Sequence, residues 1–358
     1  MTARTIPNSL RRAGLAGRFR GRTALIGAIG VGLLLVLLVA GVTVGSTQIG
    51  AVDTLAVILH RLTGLDLVRT WTPATETIVW DLRLPRVLTA AVVGAGLAIA
   101  GATFQGIVRN PLADPYVLGT SSGAALGAAI GILLPVSLVA FQLGIVNLLA
   151  FIGAILAAIL VFRIGGGGRA GGMTRLLLTG YAVGSILAAF LTMAMYVSGT
   201  NLRAIFTFLL GGLGGASWDR LLVAAPLILA GCVAIALRAP SLDGLLLGDA
   251  AARHLGLDVR RERGVLMVLA SMVTAAAVAI TGLIGFVGLV VPHVVRLLVG
   301  APARRVIPIS AIAGACLLVA ADIVARLLGD LPVGVVMAIL GAPFFLVLLA
   351  QTRSGYEL

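Results

Sequence analysis

The sequence predicts an all-α integral membrane protein with about ten transmembrane helices. Three observations predict it. The chain is 60% hydrophobic and only 11% charged, where a soluble domain carries about a quarter charged residues. Its apolar residues gather into ten segments close to the ~20 residues that cross a hydrocarbon core. Its arginines fall unevenly on the connections between those segments, as the positive-inside rule requires of a polytopic protein. The 47 glycines suit close packing of spans, because small residues let backbones approach.

Residues 1–22 hold six arginines and form a basic N-terminal arm. The apolar run from Thr23 to Val44 is too long for a signal-peptide core of about 7–15 residues, so it is a retained first helix. Residues 45–85 form a longer outer segment containing Pro73, with Trp71 and Trp80 placed as interfacial anchors. Further apolar segments lie near 86–106, 117–135, 143–162, 175–197, 220–238, 264–282, 283–299, 306–327 and 332–350. Residues 199–218 are too short and too glycine-broken for a span with loops, and predict a short re-entrant or surface helix. No strand pattern and no internal repeat is evident.

The split of 264–299 follows from length. No Asp, Glu, Lys or Arg occurs from Gly264 to Val295, and one straight helix there measures ~48 Å at ~1.5 Å per residue, well beyond a ~30 Å core. A turn near Thr281–Gly285 resolves the excess. With the N-terminus inside and the spans alternating, 19 of the 26 arginines fall inside and 7 outside, and both termini are cytoplasmic. The domain organisation is then 1–22 arm, 23–350 transmembrane domain with a cytoplasmic loop at 239–263, and 351–358 C-terminus.

Composition excludes several functions. All 26 basic residues are arginine, so there is no lysine for a Walker A loop, and the glycine runs at 165–168 and 211–215 are not phosphate loops. The net charge of +13 is a topology signal rather than a nucleic-acid patch. Cys232 and Cys316 have no metal spacing and read as packing residues. His60, His254 and His293 lie far apart, and no catalytic constellation appears. Ionisable residues in the spans sit near helix ends, and Asp322 with Arg326 forms an i,i+4 pair able to satisfy itself. A proton- or sodium-driven carrier keeps acidic groups at the midplane, so their scarcity argues against secondary transport and the driving energy is expected to come from elsewhere.

Two polar interruptions stand out. "GIVRNPLADPYVLG" (106–119) breaks apolar sequence at the inner end of the second span, where Pro111 and Pro115 stop the helix. "LDGLLLGDAAARHLGLDVRRER" (242–263) is too polar to span. Asp249–Leu255 there makes about two helical turns punctuated by Gly248 and Gly256. Such a helix either docks into a soluble partner's groove or is a solvated connector.

The stretches "RLPRVLTAAVVGAGLAIAGATFQGIVRNPLADPYVLGTSSGA" (83–124), "LLLGDAAARHLGLDV" (245–259), "GLIGFVGLVVPHVVRLLVG" (282–300) and "ADIVARLLGDLPVGVVMAILGAPFFLVLL" (321–349) resemble the permease subunits of type II ABC importers for iron–siderophore complexes, heme and vitamin B12, the FecCD type. The resemblance covers about residues 75–350. It implies a ten-helix permease in the cell membrane, working as a homodimer or with a sister permease, on two ATPase subunits and an extracytoplasmic binding protein. No cofactor is expected on this chain, ATP and Mg being held by the ATPase.

Carried over by motif, the resemblance implies a cytoplasmic gate at Asn110, Leu112, Met173 and Thr174. It implies ATPase coupling at Gly248, Asp249, Ala252 and Gly256, where Leu257 replaces the family's usual valine. Arg83, Arg86 and Arg326 are implied to meet carboxylates of the binding protein, which the planar guanidinium pairs bidentately. The plainer alternatives are a rigid helix break, a connector, and intrachain pairing such as Arg83 with Asp81 or Arg326 with Asp322. The expected cargo is a ferric siderophore, with heme or vitamin B12 as alternatives. A secondary carrier, a channel or a membrane scaffold are the rival classes.

Overall fold

The structure is a computed structural model that describes residues 8–45, 47–64, 71–135, 139–140, 143–165 and 172–353. It is a helical bundle. In chain order the helices are α1 (Asn8–Thr43), α2 (Ala51–Thr63), α3 (Pro73–Thr77), α4 (Leu84–Val108), α5 (Thr120–Leu133), α6 (Ile145–Ile164), α7 (Gly172–Tyr196), α8 (Leu202–Leu210), α9 (Trp218–Leu237), α10 (Ala239–Leu246), α11 (Asp249–His254), α12 (Val259–Thr281), α13 (Val287–Val299), α14 (Ala303–Leu327) and α15 (Val333–Arg353). Among the described residues seven helices are long and apolar enough to cross a membrane, with α5, α13 and α15 as shorter apolar helices. Together they match the ten segments read from the sequence.

Local chemistry sets the boundaries. Thr72, Ser217 and Asp258 accept backbone N–H groups at the starts of α3, α9 and α12, satisfying donors that a helix start leaves free. The expected break near Thr281–Gly285 is present. α12 ends at Thr281, Gly282 and Phe286 have φ of 70° and 68°, and α13 begins at Val287.

α4 lies at the centre, packed against α14, α12, α13 and α9. α5 and α6 form a second tight pair. By contrast α1 shows Leu25, Ile29, Leu33 and Val36 on the outside of the bundle, where lipid meets them without penalty.

Several local expectations change. The basic arm is helical from Asn8, continuous with the first span. A two-residue antiparallel pair, Val139–Ala140 with Leu143–Gly144, precedes α6. Trp71 is buried, 5.8 Å from the His60 ring, and Trp80 stacks at 5.2 Å on Trp218, whose Nε1 donates to the Trp80 carbonyl at 2.8 Å. The indoles thus fasten the segment before α4 to the bundle and do not act as free interfacial anchors. One local expectation holds, since the short helix predicted within 199–218 is present as α8 between α7 and α9.

Candidate functional site

The chemistry gathers at the two ends of the bundle. At the end where α1 and α14 finish and α4 begins, Arg83 donates through Nη1 to the carbonyls of Val42 and Thr43 at 3.0 and 2.8 Å. Arg326 donates to the Val44 carbonyl at 2.9 Å. Two guanidinium groups therefore close the C-terminus of α1, whose last carbonyls have no helical partner. Asp322, 1% exposed, lies 2.9 Å from Arg86 Nε and 3.1 Å from Arg326 Nε. Arg86 also reaches Asp330 at 3.1 Å.

This corrects the docking expectation for Arg83 and Arg326. Both side chains are about 6% exposed; Arg83 donates to intrachain carbonyls, and Arg326 donates to one and lies at ion-pair distance from Asp322. Arg83 does not pair with Asp81. Arg86 alone of the three stands partly open, beside the exposed Asp330.

The opposite, arginine-rich end carries the interrupted stretch and the 239–263 loop. α4 ends on Arg109, whose φ of 55° and ψ of 35° are left-handed. The Gln105 carbonyl then accepts the Asn110 N–H at 3.2 Å. The Asn110 side chain accepts the Leu112 N–H at 2.9 Å, and the Asn110 carbonyl accepts the Ala113 N–H at 3.1 Å. This is an Asx turn, which short polar side chains favour. Asp114 caps the next helical turn through the Tyr116 N–H at 2.8 Å, and Tyr116 Oη donates to the Ile284 carbonyl at 2.9 Å. Residues 109–118 are thus a fixed loop held by its own bonds. Asn110 is exposed and Leu112 half-buried. Thr174 is exposed at the start of α7, and the Met173 side chain lies outside the described residues.

Below this turn, α10 buries Leu242 and Leu245 against the bundle, and the Leu242 side chain approaches Gly106 at the end of α4. Gly248 (φ 106°) joins α10 to α11, and Gly256 (φ 80°) ends α11. Both glycines therefore have conformations that other residues rarely adopt. Ala252 is fully buried. Asp249 faces inward, accepting from Arg109 Nη2 and, at 2.9 Å, from Arg263 Nη2 on α12. Arg109 Nε donates in addition to the Leu245 carbonyl at 2.8 Å.

Partial burial raises the Asp249 pKa, but hydrogen bonds from Arg109 and Arg263 and their charges outweigh it and hold the carboxyl below its ordinary value. A depressed carboxylate pKa stabilises the fold above the unfolded value and loses that contribution as pH falls through the folded value. The cluster is therefore intact at neutral pH.

Sequence reasoning missed three features here. Leu247 and Leu255 stand exposed on either side of α11 and border an apolar groove of about 540 Å³ with Pro240, Leu246, Leu257 and Pro302. Gln105 on α4 is buried and tied to α13. Its Nε2 donates to the Gly288 and Leu289 carbonyls at 3.2 and 3.1 Å, and its Oε1 accepts from Arg296. The Arg109–Asp249 pair joins residues 140 apart, and no spacing rule reaches that far. The one available signal was an arginine placed directly before a helix-breaking Asn-Pro.

The profile of the FecCD transport family matches residues 33–351. The chain is 40% identical over 335 residues to the hemin transport system permease protein HmuU of Yersinia pestis, covering 90% of this chain and 96% of that protein. It is 45% identical over 275 residues to the cobalamin import system permease protein BtuC of Halobacterium salinarum, 76% of this chain and 73% of that one. Its fold is similar to a solved structure described as an inward-facing conformation of a protein assigned to the metal-chelate type of ABC transporter. The TM-score is 0.77 at 29% identity, over 92% of this chain and 99% of that one.

Proposed function

The chain belongs to the FecCD transport family and is a membrane permease of an ABC importer, not an enzyme, and we propose that its cargo is a metal tetrapyrrole, heme before cobalamin. The observation that carries this choice is the similarity to a hemin permease across 90% of this chain and 96% of that protein. The ferric siderophore expected from the family resemblance belongs to the same mechanistic class and is the competing arm of the test. In cells lacking the gene, uptake of labelled heme is expected to fall and to return on complementation. Labelled cobalamin and several ferric siderophores are compared in parallel. Loss of siderophore uptake alone overturns the heme assignment.

An ATPase and a substrate-binding protein are the partners that membership implies, and ATP with Mg is assigned to the ATPase. Two ATPase subunits per complex, both chain termini in the cytoplasm and a second permease copy complete the proposal. The second copy is supported by the outward face of α7, where Tyr181, Phe190, Met193 and Tyr196 are exposed. Asn110, Leu112, Met173 and Thr174 form the inner gate. Arg86 with Asp330 replaces the buried arginines as the docking candidate for the binding protein.

The α10–α11 unit is the surface that couples to the ATPase. Gly248 and Gly256 shape it, and buried Ala252 and inward-facing Asp249 hold it to the bundle. Its protruding Leu247 and Leu255 supply the apolar contact, in the manner of a helix seated in a groove. Leu247→Asp with Leu255→Asp changes two exposed side chains and spares the core. The double variant is expected to insert normally and to lose ATPase co-purification. Full co-purification overturns the coupling assignment.

A further inference from the structure

We infer that Arg109 is a positioning residue that ties the Asn110–Leu112 turn to the α10–α11 unit, so that displacement of α11 is delivered to that turn. This rests on the gate and coupling roles proposed above.

Three observations support it. Arg109 ends α4 in the left-handed conformation, and its side chain grips both halves of the α10–α11 unit. Nε binds the Leu245 carbonyl in the last turn of α10, and Nη2 binds Asp249 at the first residue of α11. It therefore straddles the Gly248 joint. Arginine's fixed fork can hold two acceptors at once, which a lysine ammonium does not reproduce with the same geometry.

Asp249 is shared between two spans. Its second partner, Arg263, belongs to α12 and is 7% exposed, whereas Arg109 is 36% exposed. Arg263 is thus the enclosed partner of Asp249 and Arg109 the one more open to solvent. The turn beyond Arg109 has little slack, because Asn110 closes it onto Leu112 and Ala113. Motion entering at Asp249 thus arrives one residue from Asn110 and three from Leu112 rather than dissipating in a loose loop.

The test uses the full complex reconstituted in proteoliposomes, with permease, ATPase and binding protein. Cargo moved per ATP hydrolysed is measured for Arg109→Gln, Arg109→Lys, Asp249→Asn and the Arg109→Gln, Asp249→Asn double variant. Arg109→Gln and Asp249→Asn are each expected to lower that ratio by roughly three- to thirtyfold, the range of coupling carried by such contacts. The double variant is expected to be no worse than the poorer single one, since both remove one interaction. Arg109→Lys is expected to fall between wild type and Arg109→Gln.

An unchanged ratio overturns the inference. So do multiplicative losses, or a lowered melting temperature with the ratio intact. Co-purification of the ATPase separates the two levels. If Leu247→Asp with Leu255→Asp abolishes it while Arg109→Gln keeps full coupling, the tie alone fails. If the leucine variant retains it, the coupling assignment beneath the inference fails.

Discussion

Asp322→Ala is expected to cost about 3–5 kcal/mol, because removing one member of a buried ion pair leaves its partners charged and unpaired. Asp322 is 1% exposed and lies between Arg86 and Arg326. Both guanidinium groups are largely buried, with side-chain exposures of 15% and 6%. Arg86 retains Asp330 and partial exposure, so Arg326 bears most of the loss. The Arg326 Nη1 bond to Val44 would weaken with it, loosening the end of α1. Thermal unfolding in detergent is expected to show a lower midpoint and poor recovery of folded protein.

The network is not fully satisfied, and that supplies a contrast. Asp322 Oδ2 and Arg326 Nε are at ion-pair distance without hydrogen-bond alignment, and Arg326 Nη2 has no hydrogen-bond partner among the described residues. Replacing Arg86, Asp322 and Arg326 together by Met, Leu and Leu is therefore expected to be much less damaging than Asp322→Ala alone. A triple variant as unstable as the single one would show that specific charge pairing, not the avoidance of orphaned charge, holds this end together.

Gly101→Val is the second change with a large expected effect. Gly101 on α4 faces the backbone of Gly288 on α13, and a Cβ added there would fall well inside contact distance of the Gly288 carbonyl and Cα. A backbone neighbour cannot rotate aside, so the two helices must separate. Separation disturbs the Gln105 bonds to Gly288 and Leu289 four residues on. The cost is expected to meet or exceed the ~1–3 kcal/mol usual for overpacking, read as loss of folded protein in membranes. Gly32→Ala on α1 is the control. Nothing lies within 4 Å of a Cβ there, and the substitution is expected to be neutral or mildly stabilising, as alanine is the better helix former. Equal damage at both positions would refute close helix approach as the reason for Gly101.

The element plan was legible because it depends on local quantities. The length of each apolar run, the charge-free excess at 264–295 and the glycine–proline punctuation act within one or two turns of chain. They identified the spans, the break before α13 and the short helix α11. The arginine docking sites were not legible in the same way. Arg83 and Arg326 sit at helix ends, as an exposed docking residue would, and their exposure depends on carbonyls and a carboxylate brought in by other helices. Trp71 and Trp80 misled for the same reason, since an indole at a segment end suits the interface or the core until its neighbours are known.

By itself the sequence determined the class of the protein. It fixed a polytopic helical membrane protein with ten apolar segments and a charge asymmetry, and it carried the family motifs in order. Those features are set by the transfer of each segment into lipid, a one-dimensional property of the chain. Only the tertiary structure decided which polar residues serve the fold and which remain available. Arg86 meets Asp322 across 236 residues, Arg109 meets Asp249 across 140 and Gln105 meets Leu289 across 184. A buried polar group must find a partner or incur a desolvation cost, and which partner it finds depends on how the helices pack.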